Sequence, residues 1–192
     1  VYLEQHADGD VDALADAVAA ERPVAIGEIG LDWFVEQTDR ERQQQLFERQ
    51  LAIARDADLP VILHVRRAHD AVLATLKRAR VRGGIAHAYN GSLEQAWQYL
   101  DLGFCLGFGG MLTFERSTKL RRLARELPLE AIVLETDAPD LTVASHHGER
   151  NSPEYLPECL AALAEVRGDE PAVVAARTTA NARAVLRLPA PG

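Results

Sequence analysis

The sequence predicts an α/β fold built around a parallel sheet. Two observations lead there. Five short apolar runs, residues 24–29, 61–65, 84–88, 104–108 and 132–134, are rich in Val, Ile and Leu, as strands covered on both faces are. Helical stretches separate them, and strand–helix alternation gives parallel strands joined by right-handed crossovers. An open doubly wound sheet and part of a (β/α)8 barrel both satisfy the pattern. A complete barrel typically takes ~250 residues; 192 residues with five strands fall short of one.

The helices follow from local signals. Thr38 and Glu41 have the spacing of a capping box, and Phe47, Leu51 and Ala54 continue at helical intervals until Pro60. Val72, Leu73 and Leu76 form a shorter apolar stripe. Ser92 and Gln95 make a second capping box, followed by Ala96, Trp97 and Leu100. Leu120, Leu123, Ala124 and Leu127 make another stripe, stopped by Pro128. Beyond the last strand a loop covers 137–151. A helix then begins with Ser152 as N-cap and Pro153 in its first position, turns Leu156, Leu160 and Leu163 inward, and stops near Gly168. A last helix covers about 171–186, and the tail 188–192 frays.

Composition bounds the class. The chain is 47% hydrophobic and 26% charged, which suits one globular domain over 1–192. A formal charge of −8 argues against a broad basic nucleic-acid-binding face. It leaves room for a nucleic-acid enzyme, because bound divalent cations reverse the local sign in a carboxylate pocket. Cys105 lies in an apolar run and reads as a buried free thiol rather than half of a disulfide with Cys159. A reducing, cytoplasmic setting fits. No run approaches the ~18 apolar residues of a membrane span, and no signal segment opens the chain. The first residue is Val1, not Met, which points to trimming, a chosen start or a start inside a longer reading frame.

The chemistry sits where strands end. The first run gives Glu28 and Asp32, the second His64 with Arg66, Arg67 and His69, the third His87, and the fifth Glu135 and Asp137. Carboxyl ends of parallel strands share one rim, and that rim holds the site. Glu28, His64, His87 and Asp137 therefore converge although scattered in sequence. Two imidazoles and two carboxylates suit Zn, Mn or another first-row divalent ion, with Mg also admissible. A lone strand-end histidine is commonly a hydrogen-bonded structural group; four such residues on four strand ends are hard to obtain by chance.

The segments GEIGLD at 27–32, ETDAP at 135–139 and the strand-end HAYNG at 87–91 resemble the signatures of TatD-type metal-dependent hydrolases. HVRRAHD at 64–70, LGFGG at 106–110, RNSPEYLP at 150–157 and NARAVL at 181–186 fall in the same family order, so the resemblance covers nearly the whole chain. It implies a TIM-type (β/α) barrel, here incomplete with about five of eight strand–helix units, and a centre of one or two divalent metal ions. It implies hydrolysis of ester bonds, best known as DNase action, with DNA as substrate. Under it Glu28 bridges two metals, His64 and His87 complete one site, and Asp137 binds the other metal and takes a proton from the attacking water. Glu28 and Asp137 are thus the catalytic candidates, and Arg66 is the candidate contact to a substrate phosphate. Asp32 and Glu135 are candidates for hydrogen bonds to the histidines.

The remaining residues carry lesser expectations. Asn151 serves either the loop over the site or the helix entry. His69 falls in a loop or first helical turn, and His6, His146 and His147 read as solvated loop residues. The glycines between 107 and 110 read as close strand packing. Three departures from the family stand out: Tyr89-Asn90-Gly91 replaces an aromatic-Ser-Gly, Val65 replaces a small polar residue, and no HxH pair occurs anywhere in the sequence. The family carries that pair on its first strand, so the expectation is a chain lacking three N-terminal units and two metal ligands. Such a chain binds one metal tolerably and hydrolyses DNA poorly. The alternatives are a hydrolase of small esters or amides, and an inactive metal-binding fragment.

Overall fold

The computed structural model describes residues 9–34 and 39–189. Five strands, β1 (Ile26–Asp32), β2 (Val61–Arg66), β3 (Gly84–Ala86), β4 (Phe104–Phe108) and β5 (Ile132–Leu134), form one sheet. Every neighbouring pair is parallel, and the order is β1-β2-β3-β4-β5. A doubly wound sheet reverses its order at a switch point. Sequential order without reversal puts all right-handed crossovers on one side and leaves the other side facing inward. The fold is therefore part of a (β/α) barrel wall. Among the described residues seven helices accompany it: α1 (Asp10–Glu21), α2 (Arg40–Asp56), α3 (His69–Ala79), α4 (Leu93–Asp101), α5 (Thr118–Glu126), α6 (Leu156–Arg167) and α7 (Pro171–Val185). None of the described helices is long and apolar enough to cross a membrane.

Local chemistry accounts for most boundaries. At α4 the capping box is complete: the Gln95 N–H donates to Ser92 Oγ at 3.2 Å, and the Ser92 N–H donates to Gln95 Oε1 at 2.9 Å. At α2 the cap is Asp39, whose carboxylate accepts from the Arg42 N–H at 2.9 Å. The capping box expected from Thr38 rests on a residue that, like His6, lies outside the described residues. α6 ends at Gly168 in the left-handed conformation, a common helix stop. It is preceded by a short 3-10 turn, Pro153–Tyr155, entered through Ser152.

Several expectations need correction. α1 lies outside the helices the sequence analysis predicts, although Val11, Leu14 and Val18 fall at helical spacing: Val11 and Val18 are buried and Leu14 packs against the core. Of the three leucines expected inward, Leu163 is buried and Leu160 packs against the core, but Leu156 is exposed, and α6 also buries Cys159, Ala162 and Val166. Trp97 likewise points outward, with Ala96 and Tyr99 on the buried side of α4. Both cysteines are free, but Cys159 is the buried one and Cys105 is only partly covered. β1 begins two residues later than the apolar run and continues to Asp32, because its ladder with β2 runs on through Leu31↔Val65 and Asp32↔Arg66.

That longer pairing matters for the site. Along β2, Val61, Leu63 and Val65 are buried while Ile62, His64 and Arg66 are more open. The same alternation appears in β1, where Ile29 and Leu31 are buried and Glu28, Gly30 and Asp32 face the other way. β1 and β2 are thus covered fully on the helix side and only partly on the inner side, whereas β3, β4 and β5 are buried on nearly every residue, as strands covered on both faces are. A register irregularity between Ile26 and Ile29 inserts one extra β1 residue opposite β2, which brings Glu28 to the inner face. Gly30 is required two residues on: with φ of 150°, any side chain there would run into the His64 carbonyl.

One continuous core joins Phe47 and Leu51 of α2, Val72 and Leu76 of α3, and Tyr99 of α4 to the outer faces of the strands. Phe47 has no exposed surface. Phe47→Ala is expected to destabilise by about 3–5 kcal/mol, read as a lowered midpoint in denaturant titration. β1 has one sheet partner among the described residues and an open inner face. A polypeptide of these 192 residues is accordingly expected to self-associate in light scattering; a monodisperse monomer with a single sharp calorimetric transition would contradict that.

Candidate metal centre

Glu28, His64 and His87 come together at the carboxyl half of the sheet. Glu28 Oε2 lies 3.5 Å from His64 Nδ1 and 3.6 Å from His87 Nε2. One donor atom from each of the three falls within 4.8 Å of the others. Two nitrogen or oxygen ligands held ~2.1 Å from a tetrahedral ion stand ~3.4 Å apart. The Glu28 contacts already have that spacing, and the donor types suit one divalent cation. Glu28 and His64 sit inside their strands, not at the ends, while His87 directly follows β3.

Asp137 occupies the same rim on the far side of the His87 ring. Its Oδ1 is 3.8 Å from His87 Nδ1, the nitrogen turned away from Glu28. It lies three residues past β5 with φ of 59°, a left-handed conformation that aspartate tolerates better than most residues. Asn151 holds this loop: its buried amide donates to the carbonyls of Thr136 and Asp140, both at 2.6 Å. The same side chain accepts from the Ser152 N–H at 2.8 Å, so it serves the loop and the helix entry together.

Each histidine has a carboxylate behind it. Asp32 Oδ2 is 3.3 Å from His64 Nε2, and Glu135 Oε1 is 3.5 Å from His87 Nδ1. Such partners fix ring orientation and raise ligand basicity. Asp32 is itself gripped by Gln43, which exchanges two hydrogen bonds with its backbone at 3.0 and 2.9 Å. Gln43 was missed in the sequence, although it lies on the buried stripe of α2 four residues before Phe47, where a polar side chain signals a specific partner. Glu135 also accepts from the Ala88 N–H at 2.5 Å, tying the residue after His87 to the end of β5. The glycine at 107 makes this seat: a methyl group there would overlap the Glu135 carboxylate. The glycine run is thus close packing of a side chain as well as of strands.

Charge follows this arrangement. Burial draws the His87 pKa down, but Glu135, Glu28 and Asp137 outweigh it and lift it to about 9. The contact from His64 holds the Glu28 carboxyl below its usual range, against burial. Burial pushes the Asp137 carboxyl up, helped by Glu28, Glu135 and Asp140 and opposed by His87.

The other candidates distribute themselves around this core. Arg66 Nη1 is 3.3 Å from Asp32 Oδ2, and its side chain remains half exposed at the rim. His69 is the first residue of α3 and is buried away from the metal donors, with Nδ1 at 3.1 Å from Tyr99 Oη and Nε2 at 3.0 Å from Asn90 Oδ1. Burial lowers its pKa, so it is a neutral ring anchoring the loop that follows His87. His146 is more engaged than a solvated residue: it bonds Glu149 at 2.9 Å and stacks on Tyr155 at 4.0 Å. His147 is exposed and makes an edge contact with Phe114. A cavity of about 1060 Å3 opens over the centre, with His64, His87, Glu135 and Asp137 among its lining and Arg66, Arg116 and Lys119 on its walls.

Known proteins with this arrangement are found by sequence and by shape. A family model described as TatD related DNase matches residues 1–187. The metal-dependent hydrolase YjjV of Escherichia coli K12 is 43% identical over 183 residues, covering 93% of this chain and 70% of that protein. The 3'-5' ssDNA/RNA exonuclease TatD of Klebsiella pneumoniae is 40% identical over 182 residues, covering 89% and 69%. The crystal structure of the Escherichia coli YjjV protein superposes with a TM-score of 0.92 over 98% of this chain and 74% of that one, at 40% identity. A TatD family hydrolase from Entamoeba histolytica, 21% identical with a TM-score of 0.79, shares the fold. With these matches and three donor atoms gathered on one rim, the chain belongs to the TatD related DNase family of metal-dependent hydrolases.

Proposed function

We propose that the chain hydrolyses phosphodiester bonds in DNA, with one divalent cation held by Glu28, His64 and His87. The observation that carries this reading is that two of these donors, His64 and His87, line a cavity whose walls also bear Arg66, Arg116 and Lys119. A protein of net charge −8 that concentrates cations around an acidic floor is suited to an anionic substrate. The related exonuclease of Klebsiella pneumoniae is named for single-stranded DNA and RNA, which supports a nucleic-acid substrate here.

A cation bound at this centre supplies Lewis acidity toward a phosphoryl oxygen and makes water a stronger acid. The residues of the chain do the rest. Glu28 stays ionised and contributes negative charge to the donor set. Arg66, fixed by Asp32, directs its guanidinium to a non-bridging phosphate oxygen. Asp137 accepts the proton of the attacking water. Its raised pKa makes it a better base than an ordinary aspartate. Glu135 and Asp32 keep the two imidazoles in place.

The ligand count sets the expected behaviour. Three protein ligands for one cation is the number typical of a catalytic zinc site. Among the described residues, a second cation beside Asp137 would find carboxylates and no further imidazole pair, with Glu135 already engaged by the Ala88 N–H and His87. A polypeptide of these 192 residues is expected to hold one metal per chain, by plasma mass spectrometry, and to cleave a labelled single-stranded oligonucleotide slowly, with chelator stopping cleavage. Asp137→Asn should lower the rate by about 10²- to 10⁴-fold with metal content unchanged, whereas His64→Ala should lose the metal. Two tightly held metals, or hydrolysis of small esters in preference to the oligonucleotide, would overturn this reading.

The pH dependence follows from His87. A ligand imidazole must be neutral, and in the absence of metal His87 keeps its proton up to about pH 9. Metal and proton therefore compete for one ring. Metal affinity should rise by about tenfold per pH unit below pH 9 and then level off, with nearly one proton released per metal near neutrality. Titration calorimetry in buffers of different ionisation enthalpy counts that proton.

A further inference from the structure

Beyond the metal donors, Phe34, Arg66 and Arg67 form a second cluster at the open rim. Consecutive residues of a strand point to opposite faces, so Arg66 and Arg67 ought to diverge. Here β2 ends at Arg66, and Arg67 turns into the left-handed region with φ of 54°. Both guanidinium groups consequently sit over one ring: Arg66 Cζ is 4.1 Å and Arg67 Cζ 4.6 Å from the Phe34 centroid. Phe34 is placed by Asp32, whose Oδ1 accepts the Phe34 N–H at 2.9 Å. One aspartate thus links the His64 ring, the Arg66 guanidinium and the Phe34 backbone.

Two cations held over one aromatic ring repel each other, and the ring quadrupole offsets only part of that. Arg66 also has Asp32, but Arg67 has no carboxylate partner among the described residues. All three side chains are open to solvent, Phe34 at 46%. The cluster presents fixed positive charge and flat apolar surface side by side, next to the arginine that lines the cavity. Single-stranded nucleic acid is bound by that combination: phosphates pair with guanidinium groups, and bases stack on aromatic and guanidinium planes.

We propose that Arg67 and Phe34 form a subsite for the nucleotide flanking the scissile phosphate in a single-stranded nucleic acid. Arg67 pairs with that nucleotide's phosphodiester, and its base stacks on the Phe34–guanidinium surface. The inference rests on the phosphodiester reading of the metal centre, from which its test is kept separate. A fluorescein-labelled thymidine oligonucleotide is titrated into the 192-residue chain in chelator, where no cleavage intervenes, and anisotropy is followed over a range of salt. Arg67→Gln should weaken binding about tenfold and reduce the slope of log K against log salt by ~0.7, the loss of one phosphate contact. Phe34→Leu should weaken binding of the thymidine oligonucleotide about tenfold while leaving an abasic oligonucleotide of equal length nearly unaffected. Arg78→Gln, in the last turn of α3 at the opposite end of the sheet, should change neither.

An unchanged salt slope in Arg67→Gln, or a parent chain that binds no oligonucleotide, overturns the subsite. Equal losses on both oligonucleotides in Phe34→Leu overturn the stacking role. Displacement by polyglutamate as readily as by oligonucleotide of the same charge would make the cluster a general acidic-peptide surface instead. Intact oligonucleotide binding without metal-dependent cleavage of any phosphodiester would sink the reading of the metal centre and leave the subsite standing.

Discussion

His87 is buried between Glu28 on one ring nitrogen and Glu135 and Asp137 on the other, where burial alone would remove its proton. The three carboxylates reverse that outcome and hold a positive charge at the ring. A place that retains a proton against desolvation is a place whose field favours a cation, and a divalent ion satisfies the same carboxylates more fully than one proton does. The remaining architecture serves this arrangement. Gly107 clears space for Glu135, Asn151 holds the loop that carries Asp137, and the extra residue in β1 brings Glu28 inward.

The rim is built in two tiers. The inner tier supplies donors to metal from β1, β2 and the residue after β3. The outer tier fixes those donors through backbone and buried amides, and its members come from elements distant in sequence: Gln43 from α2 on Asp32, Glu135 from beyond β5 on His87. His69 belongs to this outer tier as well. As a neutral ring between Tyr99 and Asn90 it secures the loop after β3 without carrying charge into the core.

Strand–helix alternation was legible because parallel strands need continuous apolar runs and helices need a 3.6-residue stripe. Glu28, His64, His87 and Asp137 stood out because polar residues interrupt or end those runs. What was not legible depended on distance in space. The outward turn of Leu156 reflects packing that local spacing does not encode. In α1 the signal is faint rather than absent, a single stripe of Val11, Leu14 and Val18 among alanines and acidic residues. Sequence also could not distinguish a doubly wound sheet from a barrel wall without the family resemblance; the sequential strand order does so directly. The contact of Arg66 and Arg67 with one ring was hidden for a related reason, since strand periodicity predicts divergence and only the positive φ at Arg67 reverses it.

Overall charge and local charge point in opposite directions in this molecule, and the opposition is informative. A net charge of −8 repels a polyanion at long range. Cations concentrated on the cavity walls act at short range, where water is partly excluded and screening is reduced. Binding then depends on entering the rim rather than on adhering anywhere to the surface. Asp32 joins the two regions: one oxygen lies beside both His64 and Arg66, so a single carboxylate orients an imidazole of the candidate donor cluster and a guanidinium of the cavity wall. Removing that carboxylate would release both groups together, which couples the donor cluster to the cationic rim.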